Sequence, residues 1–295
     1  MLVEIQADKE LRNELKPNIM EEGISKVSKS NIQSPELVHE SEKFEGNYIQ
    51  WLWHEIKTGT NSVALAIMFF GIGFQLSLLI NGDITWVTVM TFLATIIGLF
   101  CTCLTMNGSP ANGVIGLISV AGFVAVNASA GHWWSVLDQI IFMCAIDIPL
   151  MIKWKTWGQN LDSKMRKLTP IQWVGTFAII GGLWFILHPV AIMLNDSSPT
   201  WDSLVLAIGA TASVYCMMHV SDLFVLWLLE DIMNVGLWSW ALIQGYSPAA
   251  MAMLVSALMY TATAIYGQFF SVWHKNNKRL GAERKLAKKQ AKAIN

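Results

Sequence analysis

Long apolar stretches alternate with short polar turns along most of the chain. A helix needs about 20 residues, each rising about 1.5 Å, to cross about 30 Å of hydrocarbon. Eight stretches have about that length: residues 62–80, 84–105, 112–130, 133–152, 171–193, 202–220, 222–243 and 249–273. Turns rich in Asn, Gly, Ser and Pro separate several of them. The pattern predicts an all-α polytopic membrane protein with eight spans.

The charge distribution supports this class and orients the spans. Only 14% of the 295 residues are charged, against about 25% in an average soluble protein. The 20 Lys and Arg residues fall in three groups: at or before Lys57, from Lys153 to Lys167, and at or after Lys275. Because cytoplasmic loops are enriched in Lys and Arg, we expect both termini and the central basic loop to be cytoplasmic. The basic tail is interpreted as an anchor at the inner face of the membrane with solvated lysines, in preference to a binder of anionic lipid or RNA, and no nucleic-acid partner is expected.

The segments outside the apolar stretches have distinct compositions. Residues 1–45 carry ten of the 21 acids and no apolar core, which predicts a flexible extension. Aromatic residues cluster around 46–57, which predicts an interfacial helix. The four cysteines all lie in apolar stretches without zinc-ligand spacing, so we expect buried, unreactive thiols and no metal. Phosphate-loop and common hydrolase motifs are missing from the sequence, so no ATP-driven pump, enzyme or cofactor is expected.

Carboxylates occur at membrane depth without a basic partner. Glu230 and Asp231 lie in the middle of one span, and Asp147 lies within another. An ionised carboxylate at the bilayer centre costs about 2.5–3.5 kcal/mol, so these groups must face a wet cavity, accept hydrogen bonds or be protonated. Asp138 lies near a span end, and we expect it to reach water. Asp231 follows Trp227 by four residues, so both side chains share a helix face on which a flat or cationic solute could stack.

Several stretches between about residues 98 and 273 resemble the nicotinamide riboside transporter (PnuC) family. Residues 112–118 resemble the family pattern N-x-x-x-G-L-I, and Gln139 stands where the family has a membrane-embedded glutamine. Residues 201–203 match W-D-S. The stretch Phe224-x-x-Trp227-x-x-x-Asp231 is similar to the family's W-x-x-W-x-x-x-N, with Phe and Asp replacing its first Trp and its Asn.

The resemblance implies a SWEET-like 3+1+3 helix core with an extra N-terminal transmembrane helix, in the bacterial inner membrane. Family members form trimers, so a homotrimer is implied. The expected segments follow this plan: flexible extension 1–45, interfacial helix 46–57, extra transmembrane helix 58–83, first three-helix repeat 84–152, basic loop and linker helix 153–201, second three-helix repeat 202–273, and basic cytoplasmic tail 274–295.

The resemblance further implies facilitated import of a nucleoside-like vitamin, most simply nicotinamide riboside. The residues expected at the substrate site come from the family pattern and from the buried carboxylates: Trp227, Asp231, Gln139, Asn112, Phe224, Glu230 and Asp147. The replaced family residues leave a deoxyribonucleoside or thiamine open as the substrate. Proton coupling through Glu230 or Asp231 also stays open, as does a non-transporting structural or sensor role that uses the acidic N-terminus.

Overall fold

The computed structural model describes residues 46–294, so the predicted flexible extension at 1–45 lies outside the described residues. The described chain is helical. Its helices are α1 (Tyr48–Thr58), α2 (Ser62–Asn81), α3 (Trp86–Met106), α4 (Asn112–Ala130), α5 (Trp133–Phe142, continued by a π-helical turn Met143–Asp147 and by Ile148–Ile152), α6 (Trp157–Lys164), α7 (Pro170–Met193), α8 (Pro199–Met217), α9 (Leu223–Gln244), α10 (Ala250–Phe269) and α11 (Val272–Ile294).

Local sequence sets where the helices begin and end. The side chains of Asn61 and Thr85 accept hydrogen bonds from the free amides of the first turns of α2 and α3. Gly131 and Gly245 end α4 and α9 with positive φ angles of 74° and 67°, which a residue without Cβ adopts at no steric cost. The turns are therefore short, and successive helices run back alongside each other.

Length and composition make seven of the helices in residues 46–294 able to cross a membrane. The expected eighth, α8, is not among them, although it is a 19-residue helix. Asp202, Ser203 and Thr211 are buried within it and lower its hydropathy. α8 contacts α5, α7 and α9, so its polar groups face protein. Length and composition thus identify seven candidate spans. The described chain is an all-helical, multi-pass membrane protein.

Two groups of three helices pack in a reciprocal way. In each group, α3–α5 and α8–α10, consecutive helices contact each other. Between the groups, α5 contacts α8, and α3 contacts α10, so the first helix of each group packs on the third helix of the other. The helix between the groups, α7, packs on α8, while α2 packs on α3 and α10.

The two ends of the bundle are closed by different contacts. At the end that carries α11, the Trp273 indole donates to the carbonyl of Thr105 at 3.0 Å, and the Arg284 guanidinium donates to the carbonyl of Met165 at 2.8 Å. At the opposite end, α4 passes into α5, α7 into α8, and α9 into α10.

The helix α5 is interrupted and carries an exposed cysteine. The π-helical turn at Met143–Asp147 precedes Pro149, which has no amide hydrogen to donate to the preceding turn, so the regular α-helix is interrupted here. Cys144 lies on this turn and is exposed, so the expectation of four buried thiols is wrong at this position. The other three cysteines are buried.

Candidate functional site

A cavity of about 130 Å³ lies between the two groups of helices. Its wall is built from α3, α4 and α5 on one side and from α9 and α10 on the other. Five of the seven residues expected at the substrate site line it: Trp227, Asp231, Gln139, Phe224 and Glu230. The predicted helix register of Trp227 and Asp231 therefore brings both side chains to one space.

Aromatic rings form one wall of this cavity. The half-buried Trp227 ring lies 5.2 Å from the ring of Phe224, nearly perpendicular to it at 84°. Phe142, on α5, lies 6.3 Å from the same indole at 38°. These neighbours fix the plane of Trp227 from both helix groups. A fixed indole beside a cavity can stack on a planar ring or attract a cation through its face.

Carboxylates form a polar part of the wall. Asp231 is 8% exposed and Asp138 is 3% exposed, and both line the cavity together with Glu230. The expectation that Asp138 reaches water is wrong, because α8 covers it: one of its oxygens lies against Gly209, where a side chain would collide with it. The sequence has no Lys or Arg between residues 58 and 152 or between 168 and 274, so no basic side chain of these helices neutralises the group.

A second, smaller cavity of about 90 Å³ adjoins the first and shares its carboxylates. Its wall is richer in polar side chains, among them Asn127, Ser135 and Asn234, and it also includes the Tyr260 ring. The Tyr260 hydroxyl is buried without a hydrogen-bond partner. Together the two cavities present an aromatic part and a part lined by oxygen and amide groups, which suits a solute with one ring and several hydroxyls.

Two of the expected residues, Asn112 and Asp147, do not line either cavity. Asn112 lies behind the wall, where its amide donates to the hydroxyl of Thr105 at 2.7 Å, and Thr105 itself faces the cavity. Asp147 is fully buried at the π-helical turn, against Gly116 of α4. Asn112 therefore supports the cavity wall from behind, and Asp147 lies at the contact between α4 and α5.

Close packing at Gly98 leaves the space for the cavity. A Cβ atom at this position would lie 2.5 Å from both the Phe123 ring and the Tyr260 hydroxyl. Sequence reasoning missed Tyr260, Phe123 and Phe142, although a tyrosine in the middle of an apolar span was a signal for Tyr260. Phe123 and Phe142 carried no comparable signal, since phenylalanine is common in lipid-facing and core positions alike.

A larger space of about 390 Å³ lies elsewhere, between α2 and the ends of α3 and α10. It is lined by aliphatic and neutral polar residues near the turn at residues 81–83, and its only acid, Asp83, is exposed. It has neither buried carboxylates nor an indole. The smaller cavities between the helix groups are therefore the better candidate for a specific site.

Comparisons with known proteins identify the family of the chain. A family model described as "Nicotinamide mononucleotide transporter" matches residues 88–275, which include every helix that lines the cavity. The chain belongs to this family. The resemblance to the PnuC family is thereby confirmed, and the chain is a multi-pass membrane transporter of this family.

Two relatives of the family are similar over most of the chain. The nicotinamide riboside transporter PnuC of Neisseria mucosa (strain ATCC 25996 / DSM 4631 / NCTC 10774 / M26) is 22% identical over 250 residues, which cover 80% of this chain and 91% of that protein. The crystal structure of the vitamin B3 transporter PnuC superposes with a TM-score of 0.64 at 19% identity, covering 79% of this chain and 99% of that chain. The second comparison shows a shared fold.

Proposed function

We propose that this transporter imports nicotinamide riboside by facilitated diffusion, with the solute bound in the paired cavities between the helix groups. One observation carries the proposal: an indole and three carboxylates surround a space whose helices contain no basic residue. Nicotinamide riboside has a cationic ring and a neutral sugar. A cation that enters this space offsets the cost of burying the carboxylates, whereas an anion would increase it.

The residues take separate roles in this proposal. Trp227 stacks on the nicotinamide ring, and Phe224 holds the indole in place. Asp231 and Glu230 face the positive charge of the ring. Gln139 donates to or accepts from the polar edge of the solute. Asn112 and Asp147 act indirectly, because they lie behind the cavity wall.

The sugar belongs in the smaller cavity. Hydroxyl groups need partners when they are buried, and Asn127, Ser135 and Asn234 offer amide and hydroxyl partners there. Uptake by this route requires no nucleotide and no catalytic step by the protein. Net import then depends on the gradient of the solute across the membrane.

We further infer eight spans with a SWEET-like 3+1+3 core, counting α8 as a span. α8 is surrounded by other helices, and a helix that meets protein instead of lipid does not need a continuous apolar surface. The reciprocal packing of α3–α5 and α8–α10 supports two repeats joined by α7. An even number of spans brings α1 and the basic helix α11 to the same side, which the enrichment in Lys and Arg identifies as the cytoplasmic side of the bacterial inner membrane.

A homotrimer is the assembly we propose, from the resemblance to the family. α2 and α7 offer broad apolar faces that include the exposed rings of Phe69, Phe70 and Phe185. These faces meet lipid or neighbouring subunits. Cross-linking in native membranes should yield a band at three times the mass of the chain, and a pattern that stops at the monomer would contradict the trimer.

Two other substrates differ in how they would use the same site. Thiamine also carries a cationic ring and would use Asp231 and Trp227 in the same way. A deoxyribonucleoside such as thymidine is neutral and gains nothing from the carboxylates. The replacement of the family's Asn by Asp231 therefore favours a cationic vitamin.

A comparison of three ligands on the purified full chain tests the proposal. Nicotinamide riboside, thiamine and thymidine are titrated against the protein by calorimetry, and the ligands that bind are then followed into proteoliposomes. We expect nicotinamide riboside to bind most tightly and to equilibrate across the membrane without an imposed ion gradient. Tightest binding by thymidine would refute the charge argument, and uptake that requires a proton gradient would refute facilitated diffusion.

A further inference from the structure

A second polar cluster lies outside the cavities, at the end of the bundle opposite α11. His132 stands at the connection between α4 and α5, Asp196 at the connection between α7 and α8, and Asp202 in the first turn of α8. All three side chains are buried, and one nitrogen or oxygen atom of each lies within 4.8 Å of the others. The cluster therefore joins the first helix group to the second.

The orientation of His132 is fixed by its neighbours. Its Nε2 lies 3.2 Å from the Tyr246 hydroxyl, which is itself 2.8 Å from the hydroxyl of Ser198. The edge of Trp238 packs against the ring at 5.1 Å. These contacts aim Nδ1 at Asp196, where it is fully buried and has no hydrogen-bond partner.

The gap between His132 and Asp196 is the observation that points to a ligand. Nδ1 and the nearer carboxylate oxygen are 4.0 Å apart, which is too long for a hydrogen bond. When Nε2 donates its hydrogen to Tyr246, Nδ1 and the carboxylate are both acceptors and repel each other. A positively charged species between them removes that conflict. Zinc binds nitrogen at about 2.0–2.1 Å and carboxylate oxygen at about 2.0–2.2 Å. At the tetrahedral angle these bonds place nitrogen and oxygen about 3.4 Å apart, so the side chains would approach each other by about 0.6 Å when the ion binds.

The carboxylates of Asp196 and Asp202 accept hydrogen bonds from the backbone and still have free lone pairs that could bind a cation. Asp196 accepts from the amides of Trp133 and Ser198, and Asp202 accepts from the amides of Trp134 and Ser135 and from the Ser135 hydroxyl. A carboxylate has about four lone-pair positions, so positions remain on each.

We propose that His132, Asp196 and Asp202 together bind one divalent transition-metal ion of the Zn²⁺ type. One imidazole and two carboxylates are a donor set that this class of ion uses in proteins, with water completing the coordination. The Tyr246 contact on the second ring nitrogen orients the imidazole, as outer hydrogen bonds do at known metal sites. The Lys- and Arg-free stretches that carry all three residues leave the buried negative charge for the metal to neutralise.

The experiment uses the full chain, purified without an affinity tag and stripped of metal with a chelator. ZnCl₂ alone is titrated by calorimetry, and CoCl₂ alone is titrated by visible absorption, because tetrahedral Co²⁺ has a distinctive spectrum. We expect one equivalent to bind. His132→Gln should bind at least tenfold more weakly, since it keeps a polar partner for Tyr246 but loses the imidazole.

The matched control is His188→Gln, which removes a half-buried histidine at the same end of the bundle. It should bind metal as the parent does. Asp196→Asn is a second test of the site, and circular dichroism checks that each variant is folded. Absence of a saturable equivalent in the parent, or equal binding by folded His132→Gln, would overturn the proposal. If the parent binds no metal, a proton shared by Asp196 and Asp202 would occupy the cluster instead.

Discussion

Removal of the indole at position 227 is the sharpest test of the substrate site. In the structure this ring is half-buried, with Phe142 and Phe224 against it and the cavity beside it. Stacking of a nucleobase-like ring on an aromatic side chain contributes about 1–3 kcal/mol when measured by alanine substitution. At about 1.4 kcal/mol for each factor of ten, Trp227→Ala should raise the dissociation constant for nicotinamide riboside by about 5- to 150-fold.

The assay is calorimetric titration of parent and variant in the same detergent, with thermal unfolding followed in parallel. Trp240→Ala is the matched control, because it removes an exposed indole from the same helix, away from the cavity. Trp227→Phe should recover part of the lost affinity, since a smaller ring still stacks. Affinity of a folded Trp227→Ala variant within twofold of the parent would refute the stacking role.

Three further predictions address the charge, the space and the pH response of the protein. Asp231→Asn should weaken binding of nicotinamide riboside by about tenfold and leave its uncharged dihydro form nearly unaffected; equal losses for both would contradict a charge contact. Gly98→Ala should weaken binding without loss of helical content, because the added methyl displaces Phe123 or Tyr260 into the cavity, and unchanged affinity would show that this wall does not meet the solute. Burial, with Lys164 and Lys153 nearby, lowers the pKa of His219 to about 4, so the unfolded chain binds the proton first and stability should fall as the pH drops from about 6.5 toward 4. His219→Asn, which tolerates the positive φ of 56° there, should flatten that part of the profile of unfolding temperature against pH.

The helices were predictable from the sequence because lipid imposes a simple requirement on length and hydropathy. The same requirement explains why α8 is ambiguous: its neighbours are protein, so selection for apolar side chains is relaxed along it. Asp138 shows a related limit. Its position near a span end suggested contact with water, but only the packing of α8 against α5 reveals that it is buried.

The candidate site was predictable where one helix carries it. The spacing of four residues between Trp227 and Asp231 fixes their common face without knowledge of any other helix. Asn112 and Asp147 required knowledge of which side of the wall they occupy, and that depends on how α4 and α5 approach each other. The cluster at His132 was beyond reach for the same reason, because its ligands come from connections far apart in the sequence and no short metal motif marks them.

The position of α5 links the proposed metal site to the substrate cavity, which gives a final prediction. His132 immediately precedes this helix. Asp138 and Gln139 lie within the helix, six and seven residues after His132, or about 9–10 Å along it at 1.5 Å per residue. A metal that fixes the start of α5 to α8 through Asp196 and Asp202 also restricts any movement of α5 that opens the cavity to that end of the bundle. A ligand shifts a conformational equilibrium only through its different affinity for the two states, and here the three metal ligands are assembled only while the two connections stay together. We therefore expect saturating Zn²⁺ to slow exchange of nicotinamide riboside in proteoliposomes for the parent and for His188→Gln, but not for His132→Gln. Equal slowing in all three proteins would place the effect of zinc elsewhere in the molecule.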